Sequence, residues 1–319
     1  MKAVQLSPTG AVISIGSVKL DYTALLDPDL ERKPVRAGKW LVSPGGKAAN
    51  QAVAAARAGA RVRLIGSIGD DDAGRKLLAF LRDNWIDIEQ VRLNQGQPTG
   101  SSVVLVTPDG ENSILRFPGA TALLKPSAIQ QMEIREQDII MTHLGPPQAV
   151  VIAALRAARA AGATSILNAT TTAHHVPQLL GLASILVVNE EELTWHAEVR
   201  RLDLASDAAI SAALLSLQQP GQTVVATLGE RGAIAATPEG LLSLPGYRVK
   251  AVDSTGAGDC FIGNLAAGLA SGARIGQSLT AANQAAAISV QRPGAAIAMP
   301  YQHETAAAHL TSGVMVQTA

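Results

Sequence analysis

Short runs rich in β-branched residues alternate with longer alanine-rich stretches of helical period, and this rhythm narrows the possible folds more than any other feature of the chain. Val12 to Gly16 reads as a first strand. Lys47 to Ala58 reads as a helix that starts after Pro44-Gly45-Gly46 and stops at Gly59. Arg61 to Ile65, Ser165 to Leu167, Ile185 to Val188 and Thr223 to Thr227 read as short buried strands. Asp72 to Arg82, Val150 to Ala161 and Asp207 to Leu217 read as helices, the last with Ser206 as its N-cap. Ala233 to Ala236 and Leu241 to Leu244 read as a hairpin pair; Gly258 to Ala270 and Ile275 to Val290 close the chain with helix. Strands that alternate with helices predict a doubly wound α/β fold: a mostly parallel central sheet with helices on both faces.

One segment breaks the rhythm. Ser102 to Val106 and Ser113 to Phe117 are strand-like and flank Pro108-Asp109-Gly110-Glu111, and Asp-Gly between such runs signals a hairpin. Residues 17 to 43 also lack helical period. Together, about 17–43 and 97–118 are expected to form a small β-lid over the site, and a contact between copies of the chain.

Composition excludes several classes. The 319 residues carry 26 basic and 26 acidic side chains, a formal net charge of zero, so no basic field draws nucleic acid or anionic lipid. No apolar run approaches the ~18–20 residues that span a bilayer, and no signal peptide is visible. Cys260 is the only cysteine, which rules out an internal disulfide and points to a reducing, cytoplasmic setting. His143 and the His174-His175 pair have no companion cluster at metal-ligand spacing, which favours structural or surface roles. Cys260 itself admits two readings, a thiol of lowered pKa at a helix start or a small buried residue.

The chemistry concentrates in Asp253-Ser254-Thr255-Gly256-Ala257-Gly258-Asp259, between a strand and an alanine-rich helix. Two glycines one residue apart permit a tight turn with successive N–H groups exposed. A helix that starts there adds its unpaired amides and the positive end of its dipole. Such a turn suits a phosphate in transfer, and the Asp259 carboxylate in the first turn suits the acceptance of a hydroxyl proton. The plainer reading, Asp259 as a helix cap, stays open at this point. A second run, Pro44-Gly45-Gly46-Lys47-Ala48-Ala49-Asn50, also leads from a glycine turn into a helix. Lys47 and Asn50, three residues apart, share one helix face and suit a polyhydroxy ligand, or are solvated.

In this order and separation the two runs resemble the ribokinase-like, or phosphofructokinase-B type, carbohydrate kinases. The resemblance extends through Ile15-Gly16-Ser17 with Asp21, Ile65 to Asp71, Gly110-Glu111-Asn112, Asn189-Glu190-Glu191-Glu192, Thr227 to Gly232, and Asn283 to Gly294. It is nearest to ribokinases at Gly45 to Arg57. It implies a single three-layer α/β/α domain over 1–319, with ATP, Mg²⁺ and K⁺ as cofactors and a sugar as acceptor. By resemblance, Asp259 is the catalytic base and the backbone of Gly256, Ala257, Gly258 and Asp259 the anion hole. Asp21, Gly45, Gly46 and Asn50 match sugar contacts, with Lys47 beside them. Asn189, Thr227, Gly229, Gly232 and Asn283 match nucleotide contacts, and Glu192 a water-mediated Mg²⁺ site. Asp253, Thr255, Ser289, Arg292 and Gly294 match a monovalent-cation site.

The chain departs from the ribokinase pattern twice. Lys19 stands where an asparagine is usual, and Gly145 where a sugar-contacting glutamate is common. Losing an acceptor and gaining a cation reshapes a sugar pocket, unless Lys19 points to solvent. The expected activity is ATP-dependent phosphorylation of a sugar hydroxymethyl group, ribose first. Kinases for another sugar, sugar acid or nucleoside are alternatives within the fold; a catalytically silent sugar-binding or regulatory protein is the alternative outside the class. A homodimer through the lid, and no nucleic acid or membrane partner, complete the expectations.

Overall fold

A computed structural model describes residues 10–26, 37–107, 112–171, 176–198 and 203–308. The Pro108 to Glu111 turn and His174-His175 lie outside the described residues.

The central sheet is built around the strand Ala11–Ile15, which pairs in parallel with Arg61–Gly69 on one side and Ile139–His143 on the other. Beyond Ile139–His143 follow Thr164–Asn168, Ile185–Asn189 and Thr223–Thr227, all parallel. The antiparallel pair Gly232–Thr237 and Gly240–Pro245 closes that edge, and Ile86–Asp87 and Val91–Asn94 flank Arg61–Gly69 at the other.

Alternate strand residues face opposite helical layers, which explains the unbroken apolar runs in the sequence. Val12, Leu64, Met141, Ile166 and Val225 pack under the helices Lys47–Arg57, Ala257–Ala270 and Ile275–Ser289. Their neighbours face the other way: Ile13, Ile15 and Ile140 meet the helix Gln148–Ala160, and Leu167, Leu186 and Val224 meet residues of the helices Glu190–His196 and Asp207–Leu217. The layers are three, α/β/α.

The elements follow the sequence reading closely, including Ser206, whose hydroxyl accepts from the Ala209 amide. One strand is longer than expected. Gly66 and Gly69 suggest a stop after Ile65, yet pairing continues to Gly69 because Val91–Asn94 lies alongside. The glycines answer a packing need there: a Cβ on Gly66 would stand 2.8 Å from Val18 Cγ2, and one on Gly69 would run into the Gln97 carbonyl.

A second sheet of four strands stands apart, in the order Ala37–Gly45, Lys19–Leu26, Gly100–Val106, Asn112–Phe117. Its two ends enter the main body at the places that matter. Lys19 follows the central strand by only a few residues, and Gly45 runs directly into the helix that starts at Lys47.

Candidate active site

Close packing of two alanine-rich helices creates the centre of the site. Gly263 lets helix Ala257–Ala270 approach helix Lys47–Arg57: a Cβ there would lie 2.5 Å from both Ala54 Cβ and the Gln51 carbonyl. The approach brings Asn50 and Gln51 against Asp259. Asn50 Nδ2 donates to Asp259 Oδ2 at 2.9 Å, and Gln51 Nε2 donates to Oδ1 at 2.9 Å. Asp259 is therefore not a cap; its carboxylate is held by a neighbouring helix and is only 5% exposed. The opposite amide ends, Asn50 Oδ1 and Gln51 Oε1, are buried with no partner among the described residues. A buried acceptor left this way costs on the order of 1–3 kcal/mol until a donor arrives.

The helix that bears Asp259 starts at Gly256, whose φ of 78° is left-handed and strains any other residue. Ala295 and Met299 back this turn, within 3.0–3.4 Å of where a Cβ on Gly256 would be. Of the expected anion-hole amides, that of Ala257 is occupied by the Ser254 carbonyl at 3.2 Å. The amides of Gly258 and Asp259 occupy first-turn positions, which have no acceptor within a helix. Space over Gly258 is open, since a Cβ there would meet nothing within 4 Å.

The sugar-side candidates converge on the same place. Asp21 lies against Gly45, where any Cβ would strike its carboxylate. Burial pushes the Asp21 carboxyl above its ordinary range, while a Ser102 hydrogen bond and the Lys19 charge pull it back; the Asp259 charge pushes it up as well, which places the two carboxylates in one field. Gly46 starts helix Lys47–Arg57 with φ 90°. Here Ser17 fills the turn: its hydroxyl accepts from the Lys47 amide at 3.1 Å and its carbonyl from Ala49 at 3.3 Å. Lys19 is half-buried beside Asp21, not directed away into solvent, and burial lowers its pKa.

Sequence reasoning gave His143 a structural or surface role but did not place it against Ser17. The imidazole is 3% exposed, and Nε2 accepts from the Ser17 amide at 3.2 Å and meets the Ser17 hydroxyl at 3.1 Å. Burial, aided by the Lys47 and Lys19 charges, pushes its pKa down to about 3, so it is neutral. Gly16 and Gly145 are the small residues that admit the ring; a Cβ on Gly145 would lie 2.5 Å from Nδ1. Gln51 was not singled out. Its signal was two consecutive amides in a helix otherwise built of alanine, which burial obliges to find partners.

The remaining candidates divide. Asn189, Thr227 and Gly229 share a cleft of about 1150 Å³ at the ends of neighbouring strands, which Asp259 does not line. Gly232 and Asn283 lie off it. Gly232 is buried against Leu244 and Gly246, and the Asn283 amide donates to the Pro245 carbonyl at 2.9 Å. Glu192 and Asn189 form a capping box, with Glu192 Oε2 accepting from the Asn189 amide at 2.8 Å. Burial raises the Glu192 pKa, and the Lys47 and Asp259 charges reach it.

Asp253 ties two loops. One oxygen accepts from Thr255 at 2.9 Å and the other from Gly294 at 2.8 Å. Burial opposes its ionisation, but these hydrogen bonds prevail and hold its pKa low. Ser289 donates to the Ala286 carbonyl, and Arg292 pairs with Glu304. Cys260 is buried beside Asp259; desolvation pushes its thiol up to about 12, which removes the reading as a reactive thiolate. Among the described residues no group of three or more His, Cys, Asp or Glu side chains is placed to hold a metal.

Known proteins with this architecture share the chemistry in their names. The chain is 30% identical to the ribokinase of Haemophilus influenzae, over 91% of this chain and 95% of that one. It is also 30% identical to the aminoimidazole riboside kinase of Salmonella typhimurium, over 86% and 90%. Equal identity to both leaves the acceptor to be argued from the site. The crystal structure of Cryptococcus neoformans ribokinase in complex with ADP superposes with a TM-score of 0.82 at 28% identity, covering 94% of this chain and 99% of that one. Residues 10–302 match the pfkB family carbohydrate kinase description. The chain belongs to the pfkB carbohydrate kinase family.

Proposed function

We propose that this ATP-dependent carbohydrate kinase transfers the γ-phosphoryl group to the hydroxymethyl group of a pentose-sized sugar, with ribose the first acceptor to test. The arrangement of Asp259 carries the reading: a carboxylate held by two amide donors, next to an open turn of first-turn N–H groups. Asp259 takes the proton of the acceptor hydroxyl as its oxygen bonds to the γ-phosphorus. The bond to the β–γ bridging oxygen breaks, and ADP leaves. The Gly258 and Asp259 amides face the charge that spreads over the phosphoryl oxygens. Asn50 Oδ1, a buried acceptor with no donor among the described residues, receives a sugar hydroxyl, and Asp21 receives another. ATP consumption measured against a panel of sugars tests the reading. Acceptor-dependent ADP release is expected; no turnover with any acceptor supports a silent binding protein instead.

The donor set fits the proposed ions unequally. Mg²⁺ usually keeps several waters and binds through one or two carboxylates plus substrate phosphates. Glu192, with one oxygen committed to the Asn189 amide, suits such a marginal contact. Bound Mg²⁺ would supply charge neutralisation on the phosphates. Thr255 and Gly294, drawn together by Asp253, suit a K⁺ site of backbone oxygens beside the anion hole, with Ser289 and Arg292 on the adjoining segment.

The four strands Lys19–Leu26, Ala37–Gly45, Gly100–Val106 and Asn112–Phe117 are proposed as the lid expected within about 17–43 and 97–118. Strand register places Lys19, Asp21, Ser102 and Arg116 on one face, toward the site. The other face carries Trp40, Val42, Leu115 and Phe117, each at least half exposed. An exposed apolar face of this kind is a contact surface, and a second copy of the sheet matches its shape and polarity. Sedimentation should show a dimer, and Leu115→Lys a monomer. A cytoplasmic setting accords with the absence, among the described residues, of a helix long and apolar enough to cross a membrane.

A further inference from the structure

The end of the acceptor pocket formed by Lys19, His143 and Gly145 is built to donate. Lys19 pairs in register with Gly45 on one side and Gly100 on the other, so neither neighbouring strand covers it with a side chain. Its stem runs along Gly100, where a Cβ would lie 3.1 Å from Lys19 Cγ. A single residue, Leu20, separates it from Asp21, so the two share one face of the sheet. Yet its ammonium forms no hydrogen bond, and no ion pair within 4.0 Å, with the described residues. Burial weighs against the charge; the Asp21 carboxylate beside it offsets part of that cost, and Arg116 on the same face adds to it. A half-buried cation with no direct contact to a carboxylate among the described residues, only the longer-range attraction of Asp21, has room for a second anion.

His143 removes the other source of acceptors. Its Nε2 accepts a hydrogen bond from the Ser17 amide, so the proton of the neutral ring sits on Nδ1, which faces exposed residue 145. The ring occupies the space into which any side chain at 145 would project. No carboxylate can be supplied from that position, and what remains there is an N–H donor.

We propose that Lys19 and His143 determine specificity by selecting an acceptor that bears a carboxylate: a sugar acid whose carboxylate lies against the Lys19 ammonium while its hydroxymethyl group faces Asp259. The inference rests on the proposed acceptor site and narrows its substrate class. Neutral sugars enter the pocket but leave the ammonium unpaired, so they pay in affinity and orientation.

D-Ribonate and ribitol test this directly, because they share length, hydroxyl pattern and a terminal hydroxymethyl group and differ in the carboxylate. The intact protein should use D-ribonate with kcat/KM at least about tenfold above ribitol, a difference of about 1.4 kcal/mol. Lys19→Met should cut the ribonate-to-ribitol ratio at least about tenfold, and Lys19→Arg should keep most of it. Equal use of the two by the intact protein, or an unchanged ratio in Lys19→Met, overturns the inference. If D-ribose supports turnover and D-ribonate does not, the inference fails while the sugar-kinase reading stands. If no acceptor supports ADP release, both fall.

Discussion

Helix Lys47–Arg57 and helix Ala257–Ala270 begin alike: each opens on a glycine of positive φ, 90° at Gly46 and 78° at Gly256, and neither has a side-chain cap. At the first, Ser17 plugs the turn, accepting from Lys47 and Ala49, and His143 braces Ser17 from behind. At the second, Ala257 is paired within the turn, and the space above Gly258 stays clear. The same local geometry thus gives a sealed end beside the proposed acceptor site and an open end, the proposed phosphoryl site. Whether a helix start is an anion site depends on what the rest of the fold lays across it.

The contrast can be broken at its most consequential point by Asp259→Asn. Removal of a general base typically costs about 10²–10⁴-fold in rate, so kcat should fall by that order with ATP binding retained in a titration. Near-normal turnover would mean that the open end is not where chemistry occurs. A matched pair of glycine substitutions sharpens the comparison. Gly46→Ala forces a side chain to φ 90° and to 2.6 Å from the Ser17 carbonyl, and should lose about 1–3 kcal/mol in denaturant unfolding. Gly258→Ala meets no atom outside its own helix turn within 4 Å, so its unfolding free energy should hold or rise, by up to about 1 kcal/mol. Its kcat should nevertheless drop on the order of tenfold or more, since the methyl group would stand in the space proposed for the transferred phosphoryl group.

The brace behind the sealed end predicts a smaller, pH-dependent effect. An unfolded imidazole takes up a proton below about 6.5, whereas His143 in the fold does so only near about 3. Between those values the unfolded chain binds more protons. His143 therefore stabilises the fold fully above about 6.5, and its contribution is lost as pH falls, by at most about 1.4 kcal/mol per pH unit. Denaturant midpoints from pH 7 to 5 should show this slope, and His143→Gln should flatten it.

Much of the fold was legible in the chain because both faces of the sheet are covered, so strands such as Thr223–Thr227 stand out as continuous apolar runs between helical stretches. Both glycine turns were legible too, because left-handed backbone favours glycine. What could not be read was which turn was filled. Ser17 lies 30 residues from Lys47, and Asn50 lies 209 from Asp259, so those bonds exist only once the layers have packed. The partner of His143 was hidden for the same reason. A lone histidine after a strand carries no sign that two distant glycines have made room for it. Asn283 and Glu192 show the converse: both matched a pattern, and both spend part of their hydrogen-bonding capacity on the fold's own backbone.

Cys260 offers an experimental handle. It is the only thiol in the chain, sealed beside Asp259 and held in its unreactive protonated form far above physiological pH. Alkylating reagents should pass over the folded protein, so their uptake clocks global opening of the core one molecule at a time. The same silence provides a blank background on which a single engineered cysteine in the four-stranded sheet can carry a spectroscopic probe.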